Sequence, residues 1–381
     1  MHTSRRAPLY VTRPITPALD LVSRCNAAIF ESGMYSNFGP MEQSLTSQFR
    51  ERFDCDKVLL FNNGTIALLT ALLSLPRKGG TFLTSPFTFP ASVHCIKLAG
   101  YDVRFVDVDE KTLNIDPQKI EDACDDDTVG ILAVHVYGNP CDISAIHDLC
   151  RRKALYEIYD AAHCFDVFDD GQAVYKSGLM SIASLHATKL MHTGEGGALF
   201  VSDGGIFERA RSCMNFGIQG EDIIHGIGLN GKLSEINAAI GLAVLPQVTM
   251  EISKRKVIAD RYTRLLSGLK GVDFPYFKDT TTRNYQYFPV IFDRSSGLDR
   301  DSIWSALRAR NIFARKYFYP LLSDCFPYNA GGNERYYPIA VKAAQNVLCL
   351  PMHSGVSEGD VDEIVDIILQ TLEGGKPWLS A

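Results

Sequence analysis

The chain has 381 residues, 46% of them hydrophobic and 22% charged, with a formal net charge of -6. Such a length supports two or three folded units, while the acidic balance and short Lys/Arg runs exclude a basic face for nucleic acid. Ten cysteines without a C-x-x-C pair, and no apolar run read as long enough to span a bilayer, exclude a disulfide scaffold, a paired-cysteine zinc site or other metal centre, and a membrane protein.

At the N-terminus Arg5 and Arg6 have no apolar stretch behind them, so no signal peptide is expected and the chain is read as cytoplasmic. Short apolar runs then alternate with helical patterns. Strands are expected at 57–61, 81–84, 102–106, 130–134 and 155–159, with helices at 65–75, 91–99, 117–123 and 143–151. This rhythm predicts an α/β fold with a mostly parallel, buried sheet flanked by helices. Ligands of such sheets gather at the carboxyl ends of the strands. Asn62-Asn63-Gly64-Thr65, Ser85-Pro86-Phe87-Thr88-Phe89 and Asp160-Ala161-Ala162-His163 all fall on that edge.

Asn63-Gly64-Thr65 ends a strand and opens a helix, where free N–H groups and a hydroxyl make a phosphate cradle; a plain helix cap leaves the same pattern. Phe87 and Phe89 read as core, or, for Phe89, as a ring stacked on a flat cofactor. Asp160 closes a hydrophobic run, and His163 follows it. Lys189 sits among small and hydroxyl residues in Ser184-Leu-His-Ala-Thr-Lys189-Leu-Met-His-Thr-Gly194-Glu-Gly-Gly197. A lysine after a strand is usually solvated. Paired with a strand-end aspartate, it suggests pyridoxal phosphate, with the lysine as imine partner and the carboxylate on the ring nitrogen. His163 could then donate to the phenolic oxygen.

Gly226-Ile-Gly228-Leu-Asn-Gly231 has dinucleotide-loop spacing, but no strand leads into it. A long helical run at 233–269, broken near Pro246, follows, and its Lys254-Arg255-Lys256 reads as a solvated helix face. A strand at 284–292, a helix at 300–310, a strand at 346–350 and a helix at 357–372 complete a smaller α+β unit, giving expected domains of 1–245 and 246–381. Within it, Arg315-Lys-Tyr317-Phe-Tyr319 is either a domain interface or a contact for an anionic, ring-bearing substrate.

Taken in order, Asn37-Phe38-Gly39-Pro40, Asn63-Gly64-Thr65, Pro86 to Phe89, Asp160 to His163, Ser184 to Lys189, Gly194 to Gly197 and Asn230 to Gly241 resemble the DegT/StrS-like family of pyridoxal-phosphate-dependent sugar aminotransferases, of the aspartate-aminotransferase fold (fold type I). The resemblance spans nearly the whole chain. It implies that Lys189 forms the imine and shuttles the proton, that Asp160 binds the ring nitrogen, and that His163 contacts the ring oxygen. It also implies that Gly64, Thr65 and Ser184 hold the phosphate, with Asn230 reaching in from the second subunit of a homodimer. Phe38, Arg315, Tyr317 and Tyr319 are the expected substrate contacts. Leu185 and Cys164 depart from the usual family residues.

Within the family the chain looks most like enzymes that use glutamate to aminate C4 of dTDP-4-keto-6-deoxyglucose. The product, dTDP-4-amino-4,6-dideoxyglucose, would serve surface polysaccharide such as lipopolysaccharide O-antigen. Amination at C3, a UDP- or GDP-linked substrate, a sugar dehydratase and a non-catalytic regulatory protein on the same fold are the alternatives. Dehydratase relatives carry histidine where this chain has Lys189.

Overall fold

The alternating pattern folds into a seven-stranded sheet, in a computed structural model that describes residues 7–297, 299–329 and 333–374. Arg5 and Arg6, read above for a signal peptide, lie outside the described residues. The chain enters through β1 (Leu9–Tyr10), α1 (Leu19–Ser32) and α2 (Pro40–Phe53). It then runs β2 (Val58–Phe61), α3 (Gly64–Leu73), β3 (Thr81–Thr84), α4 (Pro90–Leu98), β4 (Asp102–Phe105), α5 (Pro117–Ala123), β5 (Thr128–Val134), α6 (Ile143–Lys153) and β6 (Tyr156–Asp160). A short hairpin, β7 (Phe168–Asp169) with β8 (Gln172–Ala173), precedes β9 (Met180–Ser184), β10 (Gly197–Val201) and α7 (Gly204–Cys213).

The sheet order is β2-β10-β9-β6-β5-β3-β4, parallel from β9 to β4, with β10 antiparallel to both neighbours. Every residue of β2, β3, β5 and β10 is buried. Alternate residues serve opposite faces: Leu59 and Phe61 join one apolar cluster, Val58 and Leu60 another. Burial on both faces is why these strands read as continuous apolar runs.

A second hairpin, β11 (Ile218–Gly220) with β12 (Ile223–Ile224), leads to α8 (Glu235–Val244), a single 3-10 turn and α9 (Val248–Leu266). By length and composition this Glu235–Leu266 run could cross a membrane, which corrects the sequence expectation, yet α8 packs on α1 and α2 and half of its apolar window is buried. It is a core helix. The remaining elements are β13 (Val272–Asp273), β14 (Phe288–Phe292), α10 (Arg300–Ala309), β15 (Ile312–Phe313), α11 (Asn333–Tyr336), α12 (Pro338–Asn346), β16 (Val347–Leu350) and α13 (Glu358–Gly374). Antiparallel β13-β14-β16 carries a core with α9, α10 and α13, exemplified by Tyr262, Val290, Leu307 and Ile364.

Three further features go beyond the sequence pattern. Leu9 belongs to that second core, because β1 pairs with β15 and not with the large sheet. Arg255 is fully buried, its Nε donating to Glu251 Oε1 at 2.7 Å, so the expected solvated run is interrupted by an internal ion pair. Strands β9 and β10 were not expected at all: both border the glycine- and hydroxyl-rich lysine segment, and their antiparallel pairing needs no crossover helix. The residues from Gly226 to Gly231 form no strand-turn-helix unit, in keeping with the rejected dinucleotide reading.

Candidate active site

A cavity of about 960 Å³ opens at the carboxyl edge of the sheet, where Val134, Asp160 and Ser184 end or adjoin β5, β6 and β9. Of the residues singled out from the sequence, Gly64, Thr65, Phe89, Asp160, His163, Ser184, Lys189, Arg315, Tyr317 and Tyr319 all line it. Two do not. Phe38 packs against the large-sheet core, its carbonyl accepting from Gln43 Nε2 at 2.6 Å. Asn230 is exposed beyond β12, and its Oδ1 accepts from Lys232 Nζ at 3.0 Å.

Asp160 is buried at the end of β6, with Oδ2 accepting from Ser92 Oγ at 2.7 Å and Oδ1 from the Ala162 N–H at 3.1 Å. Burial raises its pKa, while these two hydrogen bonds and the Lys189 charge pull the other way. Lys189 is partly accessible at the cavity wall, its Nζ 5.9 Å from the Tyr287 ring centroid. Desolvation pushes its pKa down to about 8 against the attraction of Asp160. A lysine so depressed can lose its proton near neutral pH, as a nucleophile and general base must.

His163 is 8% exposed, stacked parallel to Phe318 and edge-on to Tyr287. Burial and the nearby Lys189 charge hold its pKa well below the usual range, so the ring is neutral. Its Nδ1 is buried with no partner among the described residues.

At the opposite end, α3 begins at Gly64, and the Asn63 side chain caps it by accepting from the Ile66 N–H at 2.8 Å. The first N–H groups of a helix have no intrahelical partner, and the dipole favours an anion there. A Cβ on Gly64 would lie 3.3 Å from the Ser184 Cα and Cβ, so only glycine lets the helix start approach β9 this closely without forcing a shift.

These features fit pyridoxal phosphate. The unpartnered His163 Nδ1 matches a ring oxygen, the buried Asp160 carboxylate matches a protonated ring nitrogen, and the α3 start with Thr65 and Ser184 matches a phosphate.

Sequence reading missed the segment that ties the two chemical loops together. Buried Gln286 accepts from the Leu190 N–H through Oε1 at 2.6 Å and donates from Nε2 to the Thr188 carbonyl at 3.2 Å. Asn284 donates from Nδ2 to the His163 and Phe165 carbonyls, each at 2.8 Å. It also missed Tyr10, Trp304, Arg308 and Phe313 on the cavity wall. The one available signal was the four-residue spacing of Trp304 and Arg308 on an expected helix. Cys164 and Leu185, the departures from family pattern, are fully buried in the core and do not line the cavity.

The sequence model of the DegT/DnrJ/EryC1/StrS aminotransferase family matches residues 22–369. A dTDP-4-amino-4,6-dideoxy-D-glucose transaminase of Shigella dysenteriae is 39% identical over 361 residues, covering 95% of this chain and 98% of the relative. Its namesake from Escherichia coli is 37% identical over 363 residues, covering 94% and 97%. The crystal structure of DesI in the presence of its TDP-sugar product superposes with a TM-score of 0.92 at 26% identity, over 97% of this chain and 94% of that one.

Proposed function

The chain belongs to the DegT/DnrJ/EryC1/StrS aminotransferase family, pyridoxal-phosphate-dependent enzymes acting on nucleotide sugars, and from that premise we propose that it aminates C4 of dTDP-4-keto-6-deoxyglucose with glutamate as donor. The full-length likeness to two dTDP-4-amino-4,6-dideoxy-D-glucose transaminases carries the substrate assignment. The product would be dTDP-4-amino-4,6-dideoxyglucose for surface polysaccharide such as O-antigen, made in the cytoplasm by a homodimer.

Support for the dimer comes from the apolar surface around the β11–β12 hairpin. Phe216, Ile218, Ile223, Ile224 and Ile227 are all exposed there, just ahead of Asn230. A second copy would cover them and would bring Asn230 to its partner's phosphate site.

Pyridoxal phosphate, when bound, supplies an electron sink for the carbon whose proton is removed. Asp160 would keep its ring nitrogen protonated, with Ser92 and the Ala162 N–H orienting the carboxylate. His163, neutral and packed between Tyr287 and Phe318, would donate to the ring oxygen. The N–H groups at the start of α3, with the Thr65 and Ser184 hydroxyls, would hold its phosphate, and Phe89 on the cavity wall would offer its ring face to the cofactor. Lys189 first holds the cofactor. Once released, its neutral amine would take the proton from the α-carbon of glutamate. Over the whole reaction the amino group of glutamate is exchanged for the ketone oxygen of the sugar, so that glutamate leaves as 2-oxoglutarate and the sugar as the 4-amino sugar.

The test is to incubate the protein with glutamate and a panel of keto-sugar nucleotides and to identify the aminated carbon by NMR. A 4-amino product from the dTDP-4-keto sugar is expected. Amination only at C3, or only of a UDP- or GDP-sugar, overturns the substrate reading. A deoxygenated keto-sugar formed without glutamate indicates a dehydratase. Failure of glutamate to change the cofactor absorbance indicates a non-catalytic protein.

A further inference from the structure

The cavity has a second functional wall away from Lys189 and Asp160, built by β1, α10 and β15. Pairing of β1 with β15 places Tyr10 opposite Phe313, and their rings stack with centroids 5.1 Å apart at 28°. On α10, Trp304 and Arg308 stand one turn apart on the same face. The Arg308 guanidinium lies 4.7 Å from the Trp304 ring centroid and 5.1 Å from that of Phe313. Arg315, on the adjoining segment, sits 5.0 Å from the Tyr317 ring centroid.

Charge on this wall is unbalanced. Lys316 is paired with Asp301 at 2.6 Å, but among the described residues neither Arg308 nor Arg315 forms an ion pair. The acidic side chains lining the cavity are Asp160 and Glu195; Asp160 faces the lysine, and Glu195 lies 3.5 Å from His186 Nε2. A guanidinium resting its face on a ring keeps its N–H edges open, and those edges match phosphate oxygens in pairs. Beside them Tyr10 is 56% exposed, one face on Phe313.

We propose that Tyr10, Phe313, Trp304, Arg308 and Arg315 form a subsite for a nucleoside diphosphate. The two guanidiniums take the diphosphate, and the Tyr10–Phe313 stack takes the base. The assignment rests on the proposed nucleotide-sugar substrate and says which end of it this wall holds. A dicarboxylate donor would use the two arginines but leave the rings idle, since it has no flat face to stack. Stacking recognises any base by its π-face, so the wall fixes where the nucleotide lies more than which nucleotide it is.

Trp304 is one of two tryptophans in the chain, so intrinsic fluorescence of the holoenzyme reports on this wall. Titration with dTDP should give saturable quenching, competed by pyrophosphate more weakly and by 2-oxoglutarate least. Arg308→Ala and Phe313→Ala should each weaken dTDP by about tenfold or more, the size expected for losing a charged pair or a stacked base. Tyr10→Ala, which removes a ring more than half exposed and keeps the backbone pairing of β1, should do the same. The KM for the dTDP-sugar should rise in parallel, at least about tenfold more than the glutamate dependence of the first half-reaction.

Unchanged dTDP affinity in Arg308→Ala and Tyr10→Ala overturns the subsite. So does an equal loss in the glutamate half-reaction, which would assign the arginines to the donor. If the wild-type enzyme aminates the dTDP-sugar while these variants bind dTDP normally, only the subsite falls. If the wild type neither binds dTDP nor aminates any nucleotide sugar, the substrate reading falls first and the subsite with it.

Discussion

Gln286 grips the chain on both sides of Lys189, accepting from the Leu190 N–H at 2.6 Å and donating to the Thr188 carbonyl at 3.2 Å. The lysine must hold the cofactor in one stage and act as a free base in another, so its side chain moves while its backbone has to stay. A two-point amide clamp does that. Asn284, which accepts from the Gln286 N–H at 2.9 Å, reaches the carbonyl of His163, so one short segment registers both chemical loops.

Replacing Gln286 with Leu removes both bonds and leaves the buried Leu190 N–H unsatisfied, at a cost of about 1–3 kcal/mol, while the carbonyl of the exposed Thr188 can turn to water. A displaced lysine should lower turnover by roughly 100-fold and move the midpoint of the cofactor's absorbance titration with pH. Gln286→Glu, which keeps the acceptor for Leu190, should recover part of the shift. A Leu variant with the wild-type titration midpoint and half-reaction rate would show that Gln286 only fills space.

Lys189 has a folded pKa of about 8 against 10.5 for the free side chain. The apoprotein should therefore capture pyridoxal phosphate faster as pH rises, about tenfold per unit below 8, and level off above it, because the neutral amine is the nucleophile. Linkage has a matching sign. The unfolded chain binds this proton more tightly than the folded one, so stability rises with pH between about 8 and 10.5 and is penalised below 8. Lys189→Met should raise the apoprotein Tm by a few degrees at pH 7 and by little near pH 10. An equal gain at both pH values would place the lysine in a solvated, unshifted state.

Asp160→Asn should keep bound cofactor and lose roughly 100-fold or more in turnover, since a neutral amide no longer holds a proton on the ring nitrogen. Ser92→Ala should cost less. It removes one of the bonds that offset burial of Asp160, without removing the charge. Near-normal turnover in fully loaded Asp160→Asn enzyme would contradict the assignment.

The position of Asn230 outside its own chain's cavity leads to a subunit-mixing experiment. If Asn230 completes the partner's phosphate site, Lys189→Ala and Asn230→Asp homodimers should each be inactive, the carboxylate repelling the phosphate. After subunit exchange, each hybrid carries one site with both lesions and one with neither, so partial activity should return. Exchange verified by mass spectrometry with no recovered activity would mean that a single chain builds each site.

The sequence by itself determined whatever depends on neighbours in the chain. Burial on both faces made β2, β3 and β5 continuous apolar runs, so the sheet and its carboxyl edge were legible. Thr65 and Asp160 each sit where an expected element starts or stops, so their place on that edge followed from the pattern, whereas Ser184 ends β9, a strand that the pattern did not announce. Lys189 stood out because its segment is short-chained and hydroxyl-rich, unlike a solvated helix.

Tertiary structure alone decided the relationships between distant segments. Local pattern reads Arg255 as one more charge on a solvated helix; only packing buries it against Glu251. Asn284 and Gln286 look like polar positions in the strand expected at 284–292, but β14 starts only at Phe288, and the fold brings the backbones at His163 and Lys189 within their hydrogen-bond reach. Tyr10 meets Phe313 because β1 pairs with β15 in a two-stranded parallel sheet of their own, which joins the start of the chain to its last third. Periodicity reports which face of an element is apolar, but not what lies against it. Long-range contacts are set by how whole elements pack, and no local window of sequence contains that information.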